Sequence, residues 1–183
     1  MAEWRSYGNS QEETAMWYVA QVRTGTEEKI KYQCLKAVGE NILEQCFVPY
    51  YEEKKKYQGT WHIDKRLLFP GYVFMVSGQL TQLYTGLRKI PGMTKLLGTG
   101  EEIVPLTEEE VALLKKMGAS EKTLALSQGI IENGVVTITE GPLEGMEGCI
   151  RKIDRHKRKV WLEIKMFGRT IEMEAGLEIV KKI

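Results

Sequence analysis

Up to residue 118 the apolar residues of this chain alternate between short β-forming runs and helical repeats, and beyond residue 131 only the β rhythm continues. Met16–Val22 is a run of β-formers, and Thr24-Gly25-Thr26 turns the chain into a helix in which Ile30, Cys34 and Val38 recur every four residues. Thr26 is the expected N-cap, with Glu27 and Glu28 at the positive helix start and Gly39 as the stop. A second strand is expected over 42–51, with Pro49 near its end, followed by a charged hairpin over 52–66 centred on Gln58-Gly59. The corner Phe69-Pro70-Gly71-Tyr72 then feeds a strand over 72–76 that is apolar on both faces. Leu80, Leu83, Tyr84, Leu87 and Ile90 lie at helical spacing before the turn Pro91-Gly92. An extended segment at 103–105 completes a strand-helix-strand-strand-helix-strand series, the split βαβ order of a ferredoxin-like sheet. A third helix follows over 107–117, with Thr107 and Glu110 in capping-box register and Gly118 as its stop.

Residues 119–131 break the rhythm and read as a linker between an N-terminal domain over 16–118 and a C-terminal domain over 132–183. The C-terminal domain carries five short strand patterns among glycine-rich turns, as in a small SH3-like β-barrel. The fold class is therefore α+β, a ferredoxin-like domain followed by a barrel. Residues 1–15 are polar without a period and read as a mobile arm.

Composition narrows the function. A formal net charge of +1 over 183 residues excludes a uniformly basic nucleic-acid binder, so any contact with phosphates must come from a local patch. Two patches qualify. One is the hairpin, with Lys54-Lys55-Lys56 on one arm and Lys65-Arg66 on the other, which also reads as a solvated edge guarded against strand addition. The other is the stretch Arg151, Lys152, Arg155, His156, Lys157, Arg158 and Lys159, where six lysines and arginines face one aspartate, Asp154. A solvated loop is the plain reading; RNA binding is the sharper one, because arginine grips phosphates bidentately and arginine and histidine stack on unpaired bases. Cys34, Cys46 and Cys149 are widely spaced, which suggests neither a disulfide framework nor a zinc ribbon and fits cytoplasmic thiols. The start Met1-Ala2-Glu3-Trp4-Arg5 has no signal-peptide pattern, and no apolar run is long enough for a membrane span. No cofactor or metal is expected, and no catalysis: the nearest pairing, Cys34 or Cys46 with His62, fits a core cysteine on an apolar helix face better than a nucleophile.

The aromatic corner carries two readings as well. Phe69, Tyr72 and Phe74 are either core rings or a docking surface for a protein partner, with Tyr72 and Phe74 on the same sheet face.

Specific motifs favour the second reading. Trp17-Tyr18-Val19, the 66–73 corner, Ile90-Pro91-Gly92 and Pro105-Leu106-Thr107 resemble the NGN domain of the NusG family of transcription elongation factors. Gly141-Pro142, the turn 145–148 and Met166-Phe167-Gly168-Arg169-Thr170 resemble its KOW domain. This resemblance implies a factor that rides on RNA polymerase, docking Phe69, Tyr72 and Phe74 on the clamp helices of the largest subunit and suppressing pausing. Where the family pattern usually has Thr-Pro-Val-Glu after Phe-Gly-Arg, this chain has Thr170-Ile171-Glu172. With the basic loop, this departure makes the chain most similar to the specialised LoaP branch, which implies processive antitermination through a nascent RNA hairpin, with DNA as a further candidate partner. The alternative is a housekeeping factor coupling polymerase to the ribosome or to Rho. A monomer without membrane contact is expected in either case.

Overall fold

A computed structural model describes residues 14–99, 102–118 and 122–183, so the expected arm over 1–15 lies almost wholly outside the described residues. In chain order the N-terminal part runs β1 (Met16–Val22), α1 (Glu27–Val38), β2 (Gln45–Phe47), β3 (Tyr50–Tyr57), β4 (Thr60–Leu67), β5 (Tyr72–Ser77), α2 (Leu80–Leu87), β6 (Met93–Leu96), β7 (Gly98–Thr99), β8 (Glu102–Ile103) and α3 (Glu108–Lys116). Strands β2, β5, β1 and β6 lie side by side in that order, each antiparallel to its neighbours. With helices after the first and third of these strands in chain order, this is the βαββαβ arrangement.

Alternation along β5 divides the core in two. Val73 and Met75 face one side, where Ile30 and Cys34 of α1 and Leu83 and Leu87 of α2 cover the sheet. Phe74 and Val76 face the other, with Val19 of β1, Phe47 of β2 and Leu114 of α3. That second face is completed by the C-terminal part.

The C-terminal part contains β9 (Thr123–Leu124), β10 (Ser127–Glu132), β11 (Val135–Glu140), β12 (Ile150–Asp154), β13 (Lys159–Met166) and β14 (Arg169–Lys182). The last five form a sheet in the order β11, β10, β14, β13, β12. Val160, Leu162, Ile164 and Met166 alternate along β13, and all four sides of that stripe are buried in the same apolar cluster as Phe69 and Phe74. One core therefore runs through both parts.

Several boundaries differ from the sequence reading. The strand that closes the N-terminal sheet is β6, not the segment at 103–105: after Gly92, at φ 88°, Met93 to Leu96 run antiparallel to β1 with a register shift between Gln21 and Val22. The strand expected over 42–51 is broken at Pro49, whose ring leaves no N–H for a ladder, and the chain leaves the sheet there to start the β3–β4 hairpin. Residues 119–121 of the expected linker lie outside the described residues, and most of the remainder is paired strand. Thr123 and Leu124 lie parallel to Tyr50 and Tyr51, while Ser127 to Ile131 lie parallel to β14. The two short strands expected near residues 170 and 180 are one strand of 14 residues. Gly176 interrupts its pattern for a steric reason, since a Cβ there would sit 2.2 Å from the Glu52 carbonyl oxygen of β3.

Candidate functional site

The corner is held from a distance. Gly71, at φ 85°, donates its N–H to Glu27 Oε1 at 2.7 Å, and Glu27 Oε2 accepts from Gly25 N at 2.8 Å. Glu27 is 2% exposed, so the residue expected only to favour the helix start instead ties α1 to the corner. Thr26 makes no side-chain cap; its hydroxyl turns back to the Arg23 carbonyl at 2.6 Å. A side chain at residue 71 would be strained by φ alone and would press on Thr24 Oγ1 at 3.3 Å.

The corner rings form one cluster. Phe74 stacks on Phe47 at 5.5 Å and is tilted against Phe69 at 5.7 Å. Phe69 and Phe74 are buried, at 3% and 0% exposure, and Tyr72 is half-buried. What covers them is Phe167, at the β13–β14 turn of the C-terminal part. Its ring stacks on Tyr72 at 4.7 Å and touches Phe69 and Phe74 at 5.9 and 6.1 Å. Phe167 and Gly168 both have positive φ, 58° and 68°, the two-residue hairpin turn that ordinarily takes Asn-Gly. An aromatic residue in left-handed backbone is uncommon, and here its surroundings hold it. Glu110 Oε1 accepts the Phe167 N–H at 2.6 Å, while Glu110 Oε2 accepts from Thr107 N at 2.8 Å in the capping box of α3. Arg169 Nη2 also donates to the Tyr72 hydroxyl. Beside this contact a cleft of about 1390 Å³ lies between the two parts, lined by Tyr72, Leu97, Leu106, Met146 and Phe167 among others.

A second contact is charged. The β3–β4 hairpin lies against β14 and the loop before β13. Lys159 Nζ sits 3.0 Å from Glu53 Oε1 and 2.8 Å from Glu174 Oε2, and Arg158 Nε is 2.9 Å from Glu178 Oε1. Lys54 reaches the same Glu178 at 2.8 Å, and the Tyr51 hydroxyl donates to Glu174 at 2.9 Å. The Arg158 guanidinium lies over the Trp61 indole, 3.4 Å from the ring centre. Burial pushes the Glu53 carboxyl up, but hydrogen bonds from Lys55, Lys159 and Arg66 more than reverse this and hold it at about 2. Burial likewise lowers Lys159, and its bonds to Glu174 and Glu53 outweigh that, raising its pKa above the ordinary lysine value.

The seven basic-loop candidates are thus divided. Arg155, His156 and Lys157 are exposed at the loop tip, where the Lys157 N–H donates to Asp154 Oδ1 at 2.9 Å. Arg151 pairs with Glu163 at 3.1 Å on the exposed sheet surface, and the Lys152 ammonium lies 4.7 Å from the Trp161 ring centre. Arg158 and Lys159 are engaged with the hairpin instead, their side chains 21% and 16% exposed. Sequence reading did not single out Glu53, Trp61 or Glu178, gave Glu27 only a place at the helix start, and placed Phe167 only in a motif, because each acts through a partner remote in the chain. At the hairpin tip the Tyr57 and His62 rings stack at 3.6 Å, which occupies His62 away from the buried Cys34 and Cys46.

The chain falls in a class of transcription factors. A family model described as transcription termination factor NusG matches residues 15–115, more than half of the chain. The chain belongs to the NusG family. It is 31% identical over 175 residues to the transcription termination/antitermination protein NusG of Staphylococcus aureus (strain Mu50 / ATCC 700699), covering 91% of this chain and 95% of that protein. It is 28% identical over 181 residues to the protein of the same name from Rickettsia bellii (strain RML369-C), covering 95% and 93%. A solved structure titled "Domain interaction in Thermotoga maritima NusG" superposes with a TM-score of 0.60 over 90% of this chain and 94% of that one, at 24% identity, and shows the shared fold. Among the described residues, no helix is long and apolar enough to cross a membrane.

Proposed function

We propose that this chain is a cytoplasmic, monomeric elongation and antitermination factor of the LoaP kind. Its N-terminal domain docks Phe69, Tyr72 and Phe74 on the clamp helices of RNA polymerase, and the basic loop of its C-terminal domain takes a nascent RNA hairpin. The observation that carries this reading is the arrangement at the corner. Three rings gathered at the corner held by Gly71 and Glu27 all pack against one ring from elsewhere in the chain, Phe167, at the edge of the shared core. A docking face is kept covered in the free protein, because an exposed aromatic patch is an association hazard until its partner arrives. Docking in this reading requires Phe167 to leave Tyr72. The exposed Arg155, His156 and Lys157 supply first contacts to RNA phosphates, and Lys152 and Arg151 extend the positive surface along β12. The name shared by the relatives, termination/antitermination protein, also fits a general elongation factor, and the charge of this loop favours the RNA-directed reading.

Retention of purified protein on RNA polymerase tests the docking role. Replacing Tyr72 by alanine removes a ring without opening the buried centre of the cluster, and retention is expected to fall by about 30-fold, the effect of a hot spot worth about 2 kcal/mol. Equal retention of a folded Tyr72→Ala variant rules the corner out as the docking face.

A further inference from the structure

We propose that the tip of the β3–β4 hairpin is a stacking site for unpaired nucleobases, a single-stranded nucleic-acid site in which Tyr57 and Trp61 take bases and Lys56 and Lys65 take phosphates. It lies apart from the aromatic corner and does not rest on the basic loop of the C-terminal domain.

The hairpin carries more positive charge than its own contacts absorb. Lys54 is paired with Glu178, and Lys55 and Arg66 are paired with Glu53. Lys56 and Lys65 are exposed, and among the described residues neither has a carboxylate within ion-pair distance. Of the hairpin's own carboxylates, Glu52 accepts from Leu126 N at 3.0 Å and Glu53 is buried, which leaves Asp64 against the two lysines. Lysines alone would suit a solvated edge, but rings would not. Tyr57, Trp61 and Ile63 are 48%, 41% and 51% exposed, on an element whose outer strand β4 is the edge of its sheet. Apolar side chains in that position invite unwanted association unless a ligand takes them.

The rings are placed for bases. Lys56 is directly opposite Trp61 in the ladder, so the two share one face of the hairpin, and Ile63 and Lys65 follow Trp61 on that face. The Lys54 and Lys56 ammonium groups lie 5.7 and 5.8 Å from the Trp61 ring centre, so cations stand ready for the phosphates that flank a base stacked there. On the other face the Tyr57 and His62 rings lie 3.6 Å apart with their planes within 13°. A base added to the exposed side of Tyr57 extends a stack that already exists, which lowers the ordering cost of binding. Stacking on rings tolerates every base, and an ammonium group meets phosphate as a point charge, so the site suits single strands without reading a sequence. A duplex or an acidic protein offers the lysines negative charge but offers the rings no free base.

The test titrates the full chain with an oligothymidylate and an oligouridylate of about 12 nucleotides, within the usual span of a single-strand site. An abasic DNA backbone, a duplex of equal length and polyglutamate are run alongside. Tyr57→Ala is expected to bind one or both single strands about tenfold more weakly, while Tyr57→Phe binds as the parent does. The parent is expected to bind the abasic backbone about as weakly as Tyr57→Ala binds the oligothymidylate. Lys56→Ala is expected to lower the salt slope by about 0.7, the effect of one phosphate of a single strand. Whichever oligomer loses affinity in Tyr57→Ala names the ligand as DNA, RNA or both. Tyr57 is exposed at the tip, so its truncation leaves the core intact. The proposal is overturned if folded Tyr57→Ala binds both single strands as the parent does, or if the parent binds the abasic backbone as tightly as the oligothymidylate. Competition by the duplex or by polyglutamate as strong as that of the oligothymidylate makes the tip a general polyanion or acidic-protein surface and overturns it too. Lys157→Ala, titrated with a stem-loop RNA, tests the C-terminal loop separately: unchanged stem-loop affinity there removes the loop reading and leaves the Tyr57 result standing.

Discussion

Two of the contacts that join the halves of this chain differ in chemistry. At the corner, Phe167 lies on Tyr72, Phe69 and Phe74, a contact between rings with two hydrogen bonds at its rim. At the hairpin, Glu53, Glu174 and Glu178 hold Lys159, Arg158 and Lys54 in a network of short ion pairs. Apolar contacts respond little to salt or pH, whereas ion pairs respond to both and to any competing polyanion. The pairing thus sets an apolar contact over the corner rings and a salt- and pH-sensitive contact beside it.

Gly176 packs directly on the Glu52 backbone of β3, and its substitution is expected to break the arrangement most. Adding a single methyl at Gly176 drives a Cβ into the Glu52 carbonyl at 2.2 Å, and neither backbone has room to yield without parting β14 from β3. Gly176→Ala is expected to lower stability by about 3 kcal/mol, the upper range for overpacking, read by urea denaturation. An unchanged midpoint would mean that the two strands are free to separate without cost.

The charged contact alone is addressed at Glu53. Glu53→Gln keeps the shape but leaves Lys55, Arg66 and Lys159 around a neutral amide, and a loss of about 2 kcal/mol is expected, below that of a fully buried pair because Lys55 and Arg66 are partly exposed. Acid should reproduce it. The folded carboxyl titrates at about 2 against an ordinary value of 4.5, so its contribution is complete above 4.5 and is lost as pH falls from 4.5 toward 2. Glu174 and Glu178 are also held below the ordinary value, which adds to the same loss. Parent protein should therefore weaken through this window more steeply than Glu53→Gln. Identical acid profiles for the two would remove Glu53 from this contact.

Much of the fold was legible from local chemistry. The capping box Thr107–Glu110, the Pro70-Gly71 corner and the four-residue repeat of Ile30, Cys34 and Val38 each act within a few residues, and each stands where the sequence put it. The misreadings divide between local backbone chemistry, at Pro49 and Gly92, and partners remote in the chain. β10 looks like a linker because Gln128-Gly129 is polar and flexible, and it is a strand because it pairs with β11 across the Asn133-Gly134 turn and with β14, about 50 residues on. The reason for a glycine at 176, the Glu52 carbonyl, is likewise remote in the chain. The basic loop was read as uniformly available for the same reason, since the carboxylates that claim Arg158 and Lys159 include Glu53, more than 100 residues earlier. A cluster of charge in sequence sets an upper bound on a patch, and tertiary carboxylates decide how much of it faces solvent.

The central claim is that the corner is a docking face under a removable cover. Its most direct test is the affinity of Phe167→Asn for RNA polymerase, measured beside the parent without RNA. The account predicts that the variant binds about tenfold more tightly, because the cover no longer competes with the polymerase for Tyr72 and its neighbours. A folded Phe167→Asn variant that binds polymerase no better than the parent would contradict it.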